Sequence, residues 1–301
     1  MRSSEIAIPT LDGPGLLVMP PEDVPVRGGV VPLHGAAFPQ RDQPLFEHLA
    51  RTLTPLGYAV LSFDRRPSPD GDDTSLEVQA DDALAAVAAL AARTEAPVGL
   101  FGFSQGAWAA ALGAARSADV AFLALVGGSG VSPALQMRYY TDELLRRAGY
   151  GEEARAQLLA LRVAVEDVLR GTGDRQEAAD LLAEAATQPW FPMAYLPPEL
   201  PPPDQGWADM DYDPEPTLSR VTCPTLLIYG ADEECIPPEA SKEVWRRAAR
   251  VSGNSDVTVV DLPGCGHIPV EGEPPVDLDF TVSDLSPGYT AALHGWFSRD
   301  A

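Results

Sequence analysis

Unbroken apolar runs separated by segments of helical periodicity constrain this chain more than any other feature. The runs "VAFLALV" (120–126) and "PTLLIYG" (224–230) contain no polar alternation. A strand with one wet face would alternate, so these strands are expected to be buried on both faces. Between such runs, apolar residues recur at helical spacing. Leu45, Leu49, Leu53 and Leu56 do so within 43–56, and Ala80, Leu84, Val87 and Ala91 within 76–93. Segments 105–116 and 239–250 also read as helices, as does a C-terminal one carrying Tyr289, Leu293, Trp296 and Phe297. This repeated exchange of strand and helix predicts an α/β fold with a mainly parallel central sheet flanked by helices. The start differs: residues 4–9 and 14–19 read as a hairpin around "TLDG". In parallel sheets ligands bind beyond the carboxyl ends of the strands, so residues just past a strand are the candidates for chemistry.

The alternation lapses between 131 and 218. Ala154, Leu158, Leu161, Val165 and Val168 mark a helix over 152–170, and 175–187 reads as a shorter one. A stretch rich in proline and aromatic residues follows, acidic and without Lys or Arg, from Gln188 to Pro216. The expected organisation is a core of 1–130 and 219–301, with 131–218 as a helical cap or lid inserted over the active edge of the sheet. Trp190, Phe191, Tyr195 and Trp207 either face a pocket there or pack the insertion's own small core.

A net charge of −23 argues against binding to nucleic acid or an anionic membrane surface, which would need clustered Lys and Arg. The N-terminal "MRSSEIAIPTLDGPG" has no apolar signal region, and no apolar run approaches a membrane span. The three cysteines, Cys223, Cys235 and Cys265, have no paired metal spacing. A reduced, cytoplasmic protein is expected, without cofactor or metal; a homodimer is allowed.

Ser104 stands in Gly102-Phe103-Ser104-Gln105-Gly106, between the apolar run "VGLF" and the helical segment "AWAAALGAA". The pentapeptide alone is weak, but a sharp strand-to-helix turn needs small residues on either side of a nucleophile. That turn would point the backbone N–H of Gln105 at a developing oxyanion, at a helix N-terminus. "GGSGV" around Ser129 also follows a strand, with the wrong glycine spacing. A base must be one of four histidines. His48 and His294 fall inside helical segments and read as surface or packing residues. His267, in the glycine-bounded "LPGCGHIPVEG" after a strand, is the candidate. An orienting carboxylate should follow the preceding strand, where "GADEECIPP" offers Asp232, Glu233 and Glu234.

These segments together resemble the α/β-hydrolase superfamily over nearly the whole chain. The likeness is nearest the bacterial esterases around the dienelactone-hydrolase and serine-aminopeptidase-like groups. It is carried by "LHGAAFPQRD", "GYAVLSFDRR", "GFSQGAWAAA", "DYDPEPTLSRVTCPTLLIYGADEECIPPEAS" and "LPGCGH". The resemblance implies the α/β-hydrolase fold, with Ser104 as nucleophile and His267 as base. It also implies an oxyanion hole from the N–H groups of Gln105 and Ala36, with His34 orienting the loop. Two departures stand out. The family's Gly-x-x-Asp slot, counted from Gly230 with Pro237 four residues on, holds Glu233, and Asp232 lies one residue early. Glu233 is preferred as the acid, with Asp232 as the alternative. A second glycine usual after the elbow is Ala107 here.

The expected function is a serine hydrolase that cleaves a small to medium carboxylic ester through an acyl-enzyme on Ser104. A peptidase, amidase, thioesterase or acyltransferase could use the same triad. A peptidase would want carboxylates for a free ammonium, which Asp209, Asp211, Asp213 and Glu215 could supply unless they form a solvated loop. A non-catalytic binding module would have no physical need for serine, histidine and acid at strand ends.

Overall fold

The computed structural model describes residues 2–36, 39–67, 75–203, 205–207, 209–272 and 280–299. Residues 68–74 and 273–279 lie outside the described residues. Eight strands form one sheet: β1 (Arg2–Ile6), β2 (Gly15–Met19), β3 (Gly28–Leu33), β4 (Tyr58–Ser62), β5 (Val98–Phe103), β6 (Val120–Val126), β7 (Thr225–Gly230) and β8 (Val257–Leu262). Their order is β1-β2-β4-β3-β5-β6-β7-β8. The pairs β1/β2 and β2/β4 are antiparallel, and every pair from β4 to β8 is parallel. Strands β3, β5 and β7 are buried at every residue, as their unbroken apolar sequences require.

The chain divides into two compact units. The first comprises 1–130, 214–233 and 238–301; the second comprises 131–213 with 234–237. In the first, α1 (Pro44–Leu53) and α9 (Pro287–Phe297) pack one face of the sheet. There Leu45, Leu49 and Leu53 meet Phe101, Phe122 and Ile228 from the strands and Leu293 and Phe297 from α9. The helices α2 (Leu76–Thr94) and α3 (Gln105–Arg116) pack against the sheet and each other. Buried Ala80, Ala83, Ala107, Ala110 and Ala111 line these two helices, and such small side chains permit close helix approach. α7 (Glu215–Leu218) and α8 (Pro238–Ser252) complete this unit's helices among the described residues.

The second unit holds α4 (Pro133–Arg147), α5 (Glu152–Leu169) and α6 (Arg175–Ala185). Leu145, Leu158, Leu161, Val165, Leu182 and Trp190 form its own core, with Phe191 packed against it. Tyr195 and Trp207 are exposed. Helix α4 had no counterpart in the periodicity reading. Its signal is local: Ser132 caps it and Pro133 opens it, a pairing favoured at helix starts.

Strand order decides where chemistry can gather. The chain runs from β3 outward to β4 and then back past β3 to β5, so the order reverses between β3 and β5. Leu33 pairs with Gly102 and Phe103 with Val126, which sets the residues after β3, β5 and β6 beside one another. Gly230 pairs with Leu262, so the loops after β7 and β8 start together at the same edge.

Candidate active site

Ser104 has φ 52° and ψ −117°, in a region that non-glycine residues rarely occupy. It is held from both sides: its N–H donates to Val126 O at 2.9 Å and its carbonyl accepts from Ala107 N at 2.9 Å. Such strain persists only where the surroundings over-determine it. The flanking glycines have steric reasons. A Cβ on Gly106 would stand 2.5 Å from Leu33 O, and one on Gly102 would stand 2.5 Å from Gly106 O. The helix therefore starts directly against the end of β3. Ala107, where the resemblance led us to expect glycine, is tolerated because its methyl faces Gly128. A Cβ there would come to 3.0 Å.

His267 Nε2 lies 2.9 Å from Ser104 Oγ, and its Nδ1 lies 2.9 Å from Glu233 Oε1. A carboxylate at Nδ1 favours the tautomer that carries its proton there, leaving Nε2 to accept from the serine hydroxyl. Glu233 is 3% exposed, whereas Asp232 is exposed and its N–H donates to Cys265 O. The extra methylene of glutamate carries the carboxylate from the exposed loop into the buried space beside the ring. Gly127, with φ 59°, gives the imidazole room: a Cβ there would lie 2.7 Å from His267 Cε1. Phe103 packs beside the same ring, with centroids 5.2 Å apart. Sequence reasoning assigned nothing to Gly127; its signal is a glycine just past β6, beside the serine-bearing strand.

The loop after β3 passes close to the nucleophile. A Cβ on Gly35 would stand 3.4 Å from Ser104 Cβ, so the Gly35–Ala36 segment borders the serine just as α3 opens at Gln105. His34 is buried and packs edge-on to Phe46. Burial first, and then the charge of Arg65, push its pKa down to about 3, while backbone acceptors at Gln40 and Phe63 oppose the shift. It is thus a neutral packing residue of this loop. His48 is buried too: it stacks on Tyr289 and its Nε2 lies 2.8 Å from Thr290 Oγ1. His294 is exposed on α9.

A parallel sheet whose strand ends bring a strained serine, an imidazole and a buried carboxylate into one hydrogen-bonded row defines a hydrolase-type fold and site. The sequence pattern of the Alpha/beta hydrolase family matches residues 30–278, and the chain belongs to that family. No curated protein matches the sequence. Among solved structures, the chain is similar to DcsB in complex with its substrate analogue, at 17% identity over 99% of each chain and a TM-score of 0.57. It is also similar to the Pyrococcus furiosus esterase Pf2001, at 18% identity over 87% of this chain and 82% of that one, with a TM-score of 0.53. A third is the dienelactone hydrolase of Anabaena variabilis, at 17% identity over 99% and 95%, with a TM-score of 0.53. At these identities the likeness carries the fold. Among the described residues no helix is long and apolar enough to cross a membrane.

Proposed function

We propose that the protein is a serine hydrolase of carboxylic esters, with Ser104 as nucleophile, His267 as base and Glu233 as the orienting acid. The observation that carries this reading is the continuous row Ser104 Oγ–His267 Nε2/Nδ1–Glu233 Oε1, with both gaps 2.9 Å. Ser104 attacks the ester carbonyl as Nε2 takes its proton. The buried carboxylate holds the ring and favours the imidazolium that forms. The tetrahedral oxygen is received by the N–H groups of Gln105 and Ala36, each worth about 3–4 kcal/mol in comparable sites. His267 then returns the proton to the leaving alcohol, and water repeats the sequence on the acyl-enzyme.

The helical unit is spliced into the core after β6 and again after Glu233, so both its connections arise past strand ends. Amide or thioester cleavage would use the same three residues. A preference for free N-termini is disfavoured, because two of its prospective ammonium ligands are already engaged. Asp211 forms a paired bond to Arg170 at 2.6 and 2.7 Å, and Glu215 does so to Arg247 at 2.7 and 2.9 Å.

The test is a panel of esters of varied acyl length, an aminoacyl amide and an acyl thioester, run with wild type and Ser104→Ala. Ester turnover that vanishes in Ser104→Ala, with fluorophosphonate labelling confined to Ser104, is the expected result. Failure of folded protein to label at Ser104 would sink the reading.

A further inference from the structure

Arg65 lies three residues beyond β4, and the mechanism above gives it no role. Its guanidinium contacts both oxyanion-binding segments. Nη1 donates to Gly35 O at 2.7 Å and to Gln105 Oε1 at 3.0 Å, and Nη2 donates to Ala36 O at 2.7 Å. Its backbone N–H also donates to Pro39 O at 2.8 Å, and Asp64 Oδ1 beside it accepts from Arg41 N at 2.8 Å. The loop after β3 is therefore tied to the segment after β4 at Gly35, Ala36, Pro39 and Arg41.

The first contact has a particular consequence. Gly35 C=O and Ala36 N–H belong to one planar trans peptide, in which they point in opposite directions. A guanidinium that grips the carbonyl fixes the plane and so fixes the direction of the N–H. A cation at the carbonyl also polarises the amide and makes its N–H a better donor. The same group holds the side chain of Gln105, whose own backbone N–H is the second oxyanion donor. We infer that Arg65 is the positioning residue of the oxyanion hole, aiming the Gly35–Ala36 peptide and tying it to Gln105 across the switch between β3 and β5. This rests on the hydrolase reading above.

Its planar fork is what the role needs. Lysine could supply charge to one carbonyl, but not three contacts in fixed relative directions. The test compares wild type, Arg65→Lys and Arg65→Gly for kcat, KM, thermal midpoint and affinity for a boronate that forms a tetrahedral adduct. In both variants kcat should fall about 10- to 100-fold with KM little changed, since the donor acts on the transition state rather than the ground state. Boronate affinity should fall in parallel, while affinity for the planar carboxylate product should not. Guanidinium ion added at millimolar levels should restore part of the rate to Arg65→Gly and none to Ser104→Ala.

Wild-type kcat and boronate affinity in folded Arg65→Lys would overturn the inference and leave the hydrolase reading standing. A loss expressed in KM alone, or one that only follows the thermal midpoint, would overturn it as well. If Arg65→Gly does not fold, Arg65→Lys decides. Wild-type protein that neither turns over ester nor labels at Ser104 removes the hydrolase reading and this inference together.

Discussion

Ser104, His267 and Glu233 come from three separate strand ends, and what each requires of its neighbours is now specific. The carboxylate that meets His267 is buried and the adjacent Asp232 is exposed, so the two acids should respond differently to neutralisation. Glu233→Gln is expected to lower kcat about 10³- to 10⁴-fold, because an amide no longer favours the productive tautomer or the imidazolium. Asp232→Asn should stay near wild type, and steady-state kinetics on the preferred ester read both. Gly127→Ala would place a methyl 2.7 Å from His267 Cε1 on a backbone with φ 59°. The ring must then move, and a displacement approaching 1 Å from the reacting geometry costs about 10²-fold in rate. Normal folding by circular dichroism with lost turnover is the expected pattern. Much of this site was legible from residue type and position past a strand. Residue type left Asp232, Glu233 and Glu234 open, and the preference for Glu233 came from the slot that the family resemblance implies. The need for glycine at 127 was not legible, because it arises from a ring 140 residues further along the chain.

Elements whose signal is periodic or terminal were easier to read than those whose partners are local side chains. Helix α5 matches its apolar spacing, since Leu158, Leu161 and Val165 are the apolar residues it buries, beside the charged Arg162 and Glu166. Helix α4 buries only Pro133, Ala134, Thr141 and Leu145, a sparse apolar signal, so periodicity missed it, although its Ser132-Pro133 start was present. Helix α6 is capped by Asp174, whose carboxylate accepts from Gln176 N at 2.8 Å and Glu177 N at 3.1 Å. Asp174→Ala removes those acceptors and should cost about 1 kcal/mol, read as a lower urea midpoint at unchanged slope. The insertion's aromatic residues divide by whether they enter the helical unit's core. Trp190 and Phe191 fill the helical unit, whereas Tyr195 and Trp207 stay exposed, a difference that composition could not express.

At the scale of the molecule, charge and buried imidazoles govern the response to solution conditions. His34 and His48 are held neutral in the fold, with pKa values lowered from 6.5 to about 3 and about 4, chiefly by burial. The unfolded chain takes up these protons near pH 6.5 while the folded chain resists. Stability therefore falls as pH drops below 6.5, by about 1.4 kcal/mol per unit for each histidine, until the folded value is reached. In His48→Gln that slope should be shallower by one proton between pH 6.5 and about 4, measured by denaturant unfolding at several pH values. An unchanged slope would show that His48 does not titrate as described. With a net charge of −23, self-repulsion should also make the thermal midpoint rise as salt is increased from low ionic strength.

The sequence by itself determined the parallel sheet, the strand ends on which chemistry could sit and the residue types able to perform it. Those follow from burial periodicity and from side-chain chemistry, which act locally. Tertiary structure alone decided which strand ends are neighbours, which acid reaches the imidazole and which arginine holds the loop after β3. Strand order and register are set by contacts between residues far apart in the chain, and no local pattern encodes a distance between them. Arg65 shows the difference most directly: in sequence it is one cation of a turn, and in the fold it donates to the carbonyl of Gly35, in the loop that borders Ser104.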